Sequence, residues 1–178
     1  TLSLMGPRAR VILAAVTDVD VSAGGFRFGE ARSIRIAGHK VTALRITYVG
    51  ELGWELHVSR KHAVAVYDAL MAAGKPHGIR PFGVEAQRVL RLEKGHIIIG
   101  QDTDGLTHPY EADMAWAISK AKPYFMGQKS IEIQNARGLT RKLVGFTIDD
   151  PAAPVPEEYP PTLRGGTIVG RVTSAVRS

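Results

Sequence analysis

A regular alternation of apolar and polar residues between positions 34 and 58 constrains the fold of this chain more than any other feature. Two alternating runs meet at Gly38, and a third begins just after Gly53. Because successive side chains of a strand point to opposite faces, such alternation predicts neighbouring antiparallel strands. In the third run the predicted inner face carries Trp54, Leu56 and Val58, and the outer face carries Glu55, His57 and Ser59.

Helical patterns accompany these strands. Residues 8–16, 60–73 and 83–94 carry apolar side chains at helical spacing, and a weaker pattern covers residues 128–134. A first short strand is expected at Leu2–Met5. Helices and strands that are mixed in this way predict an α+β fold for residues 1–137.

The composition changes near Gly138. Residues 141–149 and the stretch after Gly165 and Gly166 have strand patterns, and a proline-rich connection at 151–161 joins them. We therefore predict a domain boundary near Gly138, with an all-β segment over residues 138–178.

Composition and charge exclude several classes of protein. The 178 residues are 44% hydrophobic and contain no cysteine, which excludes disulfides and thiolate chemistry and favours a reducing, cytoplasmic location. No apolar run approaches the length of a membrane span, so no membrane partner is expected. The formal net charge is +6, but the densest basic run, residues 137–142, holds only three cations, and no nucleic-acid partner is predicted.

The familiar site motifs are absent or incomplete. Residues 102–105, "DTDG", resemble the opening of a calcium loop, but the acidic residues needed further along are missing. The six histidines have no metal-ligand spacing, and no glycine-rich nucleotide loop occurs. No metal site is therefore predicted.

Glu55 is the residue that alternation alone leaves open. Glutamate is depleted in strands, yet this one stands beside Trp54 in the middle of a predicted strand. It is either a solvent-facing residue of an amphipathic strand or a carboxylate directed into a cavity. In the second case it would accept hydrogen bonds from the N–H groups of a ring.

Five segments in one order resemble a known family. Residues 48–55, "YVGELGWE", are similar to the Y-x-G-E-x-G-(aromatic)-E signature of the glycine-cleavage T-proteins, the tetrahydrofolate-dependent aminomethyltransferases. Residues 4–10 resemble the family's L-x-G-P-x-A segment, residues 83–95 its LR-E-G helix, residues 100–116 its G-x-D and TP-EA-L-W loop, and residues 170–175 its G-x-VTS strand. The resemblance implies most of a T-protein-like folate domain, lacking its N-terminal portion, followed by the start of a truncated C-terminal β-barrel domain.

Within the family, "TYVGELGWEL", "LRLEKG", "GQDTDG" and "LVGFTIDDP" resemble folate domains joined to flavin-dependent demethylating enzymes. These are the sarcosine oxidase α subunit, dimethylglycine dehydrogenase and sarcosine dehydrogenase. The resemblance implies that this chain binds tetrahydrofolate. It would accept the methylene unit from an N-methyl amine to give 5,10-methylenetetrahydrofolate, with FAD held in a domain or subunit outside this chain.

The resemblance also implies site residues. Glu55 would hold the pterin ring, Tyr48 would line the cavity wall, and Gln87 stands where T-proteins have an arginine that faces the folate. The family's catalytic aspartate lies upstream of the L-x-G-P segment, so this chain is expected to be inactive alone, and no catalytic residue is assigned. Two alternatives remain: a free-standing aminomethyltransferase of glycine cleavage, and a non-catalytic assembly domain of the same fold.

Overall fold

A computed structural model describes residues 1–157 and 159–178, which form two compact units, Thr1–His96 and Ile97–Ser178. Throughout those described ranges, no helix has both the length and the apolar character needed to cross a bilayer. The mixed helix and sheet confirms the predicted α+β class. The domain boundary near Gly138 stays a prediction.

The first unit is built on a four-stranded antiparallel sheet. Its strands follow the spatial order β1-β4-β3-β2, and their bounds are β1 Leu2–Met5, β2 Ala31–Ile36, β3 His39–Leu44 and β4 Gly53–Val58. Three helices accompany the sheet: α1 Ala9–Ala14, α2 Ala63–Gly74 and α3 Val84–Glu93. Short 3-10 turns at Arg60–His62 and Lys75–His77 lie on either side of α2.

The β2–β3 hairpin turns where the sequence predicts. Ala37 and Gly38 both have positive φ angles, 49° and 77°, as the two-residue turn that matches strand twist requires. This turn fixes the pairing of Ile34 with Val41 and of Arg35 with Lys40. The register therefore carries the apolar residues of both strands to one side of the sheet.

One side of the sheet forms the core. Trp54 and Leu56 are fully buried there, together with the apolar residues of β2 and β3, against Ile12 and Leu13 of α1 and Val66 of α2. The Trp54 ring meets Phe26 edge to face at 6.1 Å, and the guanidinium groups of Arg10 and Arg45 lie 5.5 Å and 5.9 Å from its centroid.

The helix α1 is shorter than predicted. It begins at Ala9 and ends at Ala14, so Pro7 precedes the helix instead of occupying its first turn. Leu13 is fully buried, whereas Val11 is 52% exposed. With so few turns, the chain entry at Gly6 sets which face meets the sheet, and Gly6 donates its N–H to the Leu52 carbonyl at 2.8 Å.

The opposite side of the sheet, which we call the open face, changes character along its length. At one end Met5, Leu44 and Glu55 are half-buried. Towards the hairpin turn the same face presents Thr42 and His57, which are exposed. The open face is therefore partly covered near Glu55 and open to solvent near the hairpin.

A pair of histidines joins the hairpin turn to the chain entering α2. The rings of His39 and His62 stack with centroids 3.9 Å apart and an interplanar angle of 12°. Burial, reinforced by the charges of His39 and Lys61, lowers the pKa of His62 from its ordinary value of 6.5. Protonation of His62 is therefore less favourable in the folded chain than in the unfolded chain.

This shift predicts a loss of stability at acid pH. Because the folded pKa is below 6.5, the contribution of His62 is complete above that pH and is lost as the pH falls below it. We expect the thermal unfolding midpoint to fall less between about pH 8 and about pH 5.5 in His62→Gln than in the unmodified chain. His77→Gln is the control and should follow the unmodified chain; equal pH dependence in all three proteins would refute the prediction.

The second unit contains less regular structure. It comprises a 3-10 turn at Ala115–Ala117, helix α4 Gln128–Arg137, and a hairpin of β5 Pro161–Arg164 and β6 Thr167–Arg171 that turns at Gly165 and Gly166. Both α4 and the strand after the glycine pair confirm sequence predictions. The start of a β-barrel domain stays a prediction.

The predicted strand at residues 141–149 is wrong. All nine residues are described, and none belongs to a strand. Val144, Phe146 and Ile148 do alternate, but they are 55%, 80% and 56% exposed. A strand exists only when a neighbour pairs with its backbone, and here β6 pairs instead with β5, at the end of the segment interpreted as a proline-rich connection.

A buried aspartate holds the second unit together. Asp102 is 8% exposed, and its Oδ1 accepts hydrogen bonds from the hydroxyl groups of Thr173 and Ser174, both at 2.6 Å. Its Oδ2 accepts the Ile98 backbone N–H at 2.8 Å. The "DTDG" loop, which resembled a calcium loop, is thus a structural connection to the "VTSA" segment.

Removing this carboxylate should destabilise the second unit. Asp102→Ala leaves three partly buried donors without their acceptor, and we expect it to lower the free energy of unfolding by about 2–4 kcal/mol. Chemical denaturation followed by circular dichroism measures the change. Asp149→Ala, which removes an exposed aspartate of the same unit, should leave the unfolding curve unchanged; a similar loss in both variants would contradict the assignment.

Candidate functional site

Glu55 lies at the centre of the open face. It is in the middle of β4, between Ser3 of β1 and Leu44 of β3, so it has a strand on each side. Its side chain is 28% exposed and points away from the core occupied by its neighbour Trp54. Its position is thus intermediate between the solvent-facing residue and the cavity carboxylate that the sequence left open, neither fully solvated nor enclosed.

Residues 45–52, which we call the wall, connect β3 to β4, the strand that carries Glu55. Thr47 donates its hydroxyl to the sulfur of Met5 at 3.6 Å, and Met5 shares the open face with Glu55 because it pairs with Gly53. A β-carbon at Gly53 would lie 2.7 Å from the Leu4 carbonyl oxygen. Glycine at this position therefore lets β1 and the wall close on the end of β4 beside Glu55.

Tyr48 belongs to this wall and is half-buried. Its carbonyl oxygen accepts a hydrogen bond from Nδ1 of His96 at 2.8 Å. Two residues on, Gly50 has a φ of 76°, and a β-carbon there would lie 2.1 Å from Cγ of Lys94. Gly50 is required both for its backbone conformation and for this close approach.

Gln87 is half-buried in α3, the helix whose end packs against the wall. It lies four residues before Arg91 and seven before Lys94, so the three share one face of the helix. Arg91 is only 2% exposed and donates from Nη1 to the His96 carbonyl at 3.0 Å. Tyr48 is thus linked through His96 to the end of the helix that carries Gln87.

Arg91 and His96 are the residues that the sequence did not reveal. Arg91 is part of the "LRLEKG" segment, but a charged side chain in a helix is usually exposed, so its burial was not expected. Its spacing of four from Gln87 was a usable signal. Arg88 was expected in solvent and is 39% exposed, with Glu85 at 3.9 Å, an exposed pair of little energetic weight.

Trp54, the aromatic residue next to Glu55, does not share its face of the sheet. Trp54 is fully buried on the core side, so it cannot line a cavity on the open face. The side chain nearest to the Glu55 carboxylate in charge-pairing distance is His57, whose Nε2 lies 3.5 Å from Glu55 Oε2. A ligand with N–H donors would compete with this histidine for the carboxylate.

A carboxylate with a strongly lowered pKa lies in the second unit. Hydrogen bonds from the Thr107 hydroxyl and the Leu106 N–H, with Arg171 nearby, lower the pKa of Asp104 to about 2. No group of three His, Asp or Glu side chains within residues 1–157 and 159–178 is arranged to hold a metal ion. The arrangement around Glu55 offers an acceptor and a wall, which suits binding and orientation of a ligand.

Comparison with protein families decides the relationship. The model of the GCVT N-terminal domain matches residues 1–122. The chain belongs to this family. This confirms the resemblance to the glycine-cleavage T-proteins, and the matched range contains Tyr48, Glu55 and Gln87.

Individual relatives agree with the family. The chain is 40% identical to human mitochondrial sarcosine dehydrogenase, over 98% of its own length and 19% of the relative's. It is 39% identical to human mitochondrial dimethylglycine dehydrogenase, over 97% of its own length and 20% of the relative's. It is 37% identical to an aminomethyltransferase of Halothermothrix orenii, over 99% of its own length and 48% of the relative's.

The chain spans about a fifth of the length of the two human relatives and about half of the bacterial one. The three identities differ by too little to rank the subfamilies. The human relatives are named as mitochondrial, and the cytoplasmic location favoured by the lack of cysteine stays a prediction.

Proposed function

We propose that this chain is the tetrahydrofolate-binding portion of a one-carbon-transfer enzyme. The observation that carries the proposal is the position of Glu55, a partly buried carboxylate at the centre of the open face and at the end of the "YVGELGWE" segment. The residues proposed to bind the folate are Glu55, Tyr48 and Gln87.

The residues around Glu55 suit a reduced pterin. The carboxylate offers two acceptor oxygens to neighbouring N–H donors of the ring. Leu44 and Met5, on the same face, offer apolar contact to its flat sides, and Ser3 offers a hydroxyl. An apolar surface with a few oriented polar groups is typical of cofactor sites.

The role of the chain would be to position the folate, which accepts the one-carbon unit. The folate supplies, when bound, the nitrogen that captures the one-carbon unit. Glu55 would fix the rotation of the ring in its plane, Tyr48 and the wall would limit its tilt, and the Gln87 amide would offer a neutral contact from α3. Proximity and orientation of this kind account for a large part of the rate of two-substrate reactions.

The donor is proposed to be an N-methyl amine of the sarcosine or dimethylglycine type, and the product 5,10-methylenetetrahydrofolate. Support comes from the names of the two dehydrogenase relatives, which match almost the whole chain. Oxidation of the amine would take place at FAD in another domain or in a partner flavoprotein subunit.

A free-standing aminomethyltransferase is the second candidate. The bacterial relative of that name is matched over 99% of this chain, and the chain makes up 48% of that relative. In this case the carbon would reach the same site from a lipoyl carrier instead of from a flavin site.

One experiment separates these functions. The full-length protein, together with any flavoprotein subunit that holds its FAD, is incubated with tetrahydrofolate and either sarcosine or dimethylglycine, and 5,10-methylenetetrahydrofolate is measured by mass spectrometry. We expect the product to appear with an N-methyl amine alone. Product formed only with an aminomethyl-loaded lipoyl carrier would favour the second candidate, and titration calorimetry without any heat on addition of tetrahydrofolate would leave only an assembly role.

A further inference from the structure

The end of helix α3 holds His96 in a fixed position. Gly95, whose φ is 74°, donates its N–H to the Leu92 carbonyl at 2.9 Å, and His96 donates its N–H to the Arg91 carbonyl at 2.8 Å. A left-handed glycine with this pair of bonds forms a Schellman motif, which ends the helix and ties the next residue back to it. His96 is therefore attached to the last turn of α3 by its own backbone.

The side chain of Arg91 reinforces this attachment. Its Nη1 donates to the His96 carbonyl at 3.0 Å, so Arg91 accepts one hydrogen bond from His96 and donates another to it. Arg91 is only 2% exposed, and hydrogen bonds from a charged donor are stronger than neutral ones. His96 is thus bonded to the helix through both its N–H and its carbonyl group.

The imidazole of His96 connects the helix end to the wall. Its Nδ1 lies 2.8 Å from the carbonyl oxygen of Tyr48, and because a carbonyl oxygen can only accept, Nδ1 is the donor. Lys94 makes a second contact, since its side chain passes so close to Gly50 that a β-carbon there would lie 2.1 Å from Cγ of Lys94. The backbone on either side of Val49, which is 4% exposed, is thus held against the end of α3.

Tyr48 depends on such contacts, because residues 45–52 contain neither helix nor strand. A loop residue binds a ligand more weakly when the binding itself must first order the loop. We propose that His96 is a positioning residue of the folate site, which fixes the backbone of Tyr48 relative to α3 before the ligand binds. The inference rests on the proposed function, in which Tyr48 and Gln87, a residue of α3, both contact the folate.

Substitutions of His96 test the role of this hydrogen bond. In His96→Asn the amide nitrogen is separated from Cβ by the same number of bonds as Nδ1, so it can still donate to the Tyr48 carbonyl. In His96→Gln the amide group lies further out along the side chain, and His96→Leu has no donor. Each substitution is made in the full-length protein, alone and combined with Tyr48→Ala. Isothermal titration calorimetry measures the dissociation constant of tetrahydrofolate, and thermal unfolding measures stability.

We expect His96→Leu and His96→Gln to weaken tetrahydrofolate binding by about fivefold to tenfold, the usual effect of losing one hydrogen bond, and His96→Asn to stay within about twofold of the unmodified protein. In the Tyr48→Ala background the same substitutions should have little further effect, because the side chain that His96 positions is absent. A general loss of stability would weaken binding equally in both backgrounds, and that result would overturn the inference.

Failure of the inference is distinguishable from failure of the proposed function. If Tyr48→Ala weakens binding while His96→Leu and His96→Gln do not, His96 has no positioning role and the folate site stands. If Tyr48→Ala leaves the affinity unchanged, the folate contact of Tyr48 is wrong, and the positioning role of His96 is refuted with it. The comparison of His96→Asn with His96→Gln keeps the test decisive if His96→Leu does not fold.

Discussion

We expect Glu55→Gln to weaken the binding of tetrahydrofolate by about tenfold to hundredfold, because hydrogen bonds to a charged acceptor contribute about 1.5–3 kcal/mol. The substitution keeps the size of the side chain but replaces one acceptor oxygen by an NH2 group, which faces the ring's own donors. Isothermal titration calorimetry of the full-length protein measures the dissociation constant. The thermal midpoint should hardly change, since Glu55 lies outside the core.

Glu51→Gln is the matched control for this variant. Glu51 carries the same side chain in the same segment, but it is exposed in the turn between Gly50 and Gly53. Its replacement should leave the affinity unchanged. If Glu55→Gln also binds tetrahydrofolate with unchanged affinity, the site assignment is wrong, and equal weakening by both variants would indicate an effect of overall charge.

The second large effect concerns the adjacent residue. We expect Trp54→Ala to lower the free energy of unfolding by about 3–5 kcal/mol, the usual result of removing a buried aromatic side chain. Trp54 is fully buried and contacts Phe26, Arg10 and Arg45. Chemical denaturation measures the loss, and a phenylalanine at this position should recover part of it because the ring of Phe26 keeps an aromatic neighbour.

Trp116 supplies the control for Trp54. It is 79% exposed, so Trp116→Ala should change the unfolding free energy little. Comparable destabilisation by the two variants would contradict the core described for the first unit. Taken with Glu55→Gln, the experiment distinguishes two neighbouring residues: one is expected to determine stability and the other ligand affinity.

The sequence predicted which face of the sheet each residue of β4 occupies, because a side chain of a strand can point to only one of two faces. Once Trp54 is assigned to the core, Glu55 must point the other way, and the structure has this arrangement. The link between Tyr48 and His96 could not be predicted in the same way. His96 binds a backbone carbonyl, and the order of side chains along the sequence does not indicate the direction of a carbonyl group.

The missed strand depends on which segments pair in the folded chain. Residues 141–149 alternate well enough for a strand, but the chain pairs β6 with β5, and a pattern does not specify its partner.

The hydrogen bond from His96 to the main chain at Tyr48 has an evolutionary consequence. Because the anchor is a carbonyl oxygen, which every residue type possesses, the path of this loop does not depend on which side chain occupies position 48. A substitution of Tyr48 would therefore change the side-chain contact with the proposed folate while this backbone anchor stays in place. Drift in ligand preference among related proteins would then require few compensating changes in α3.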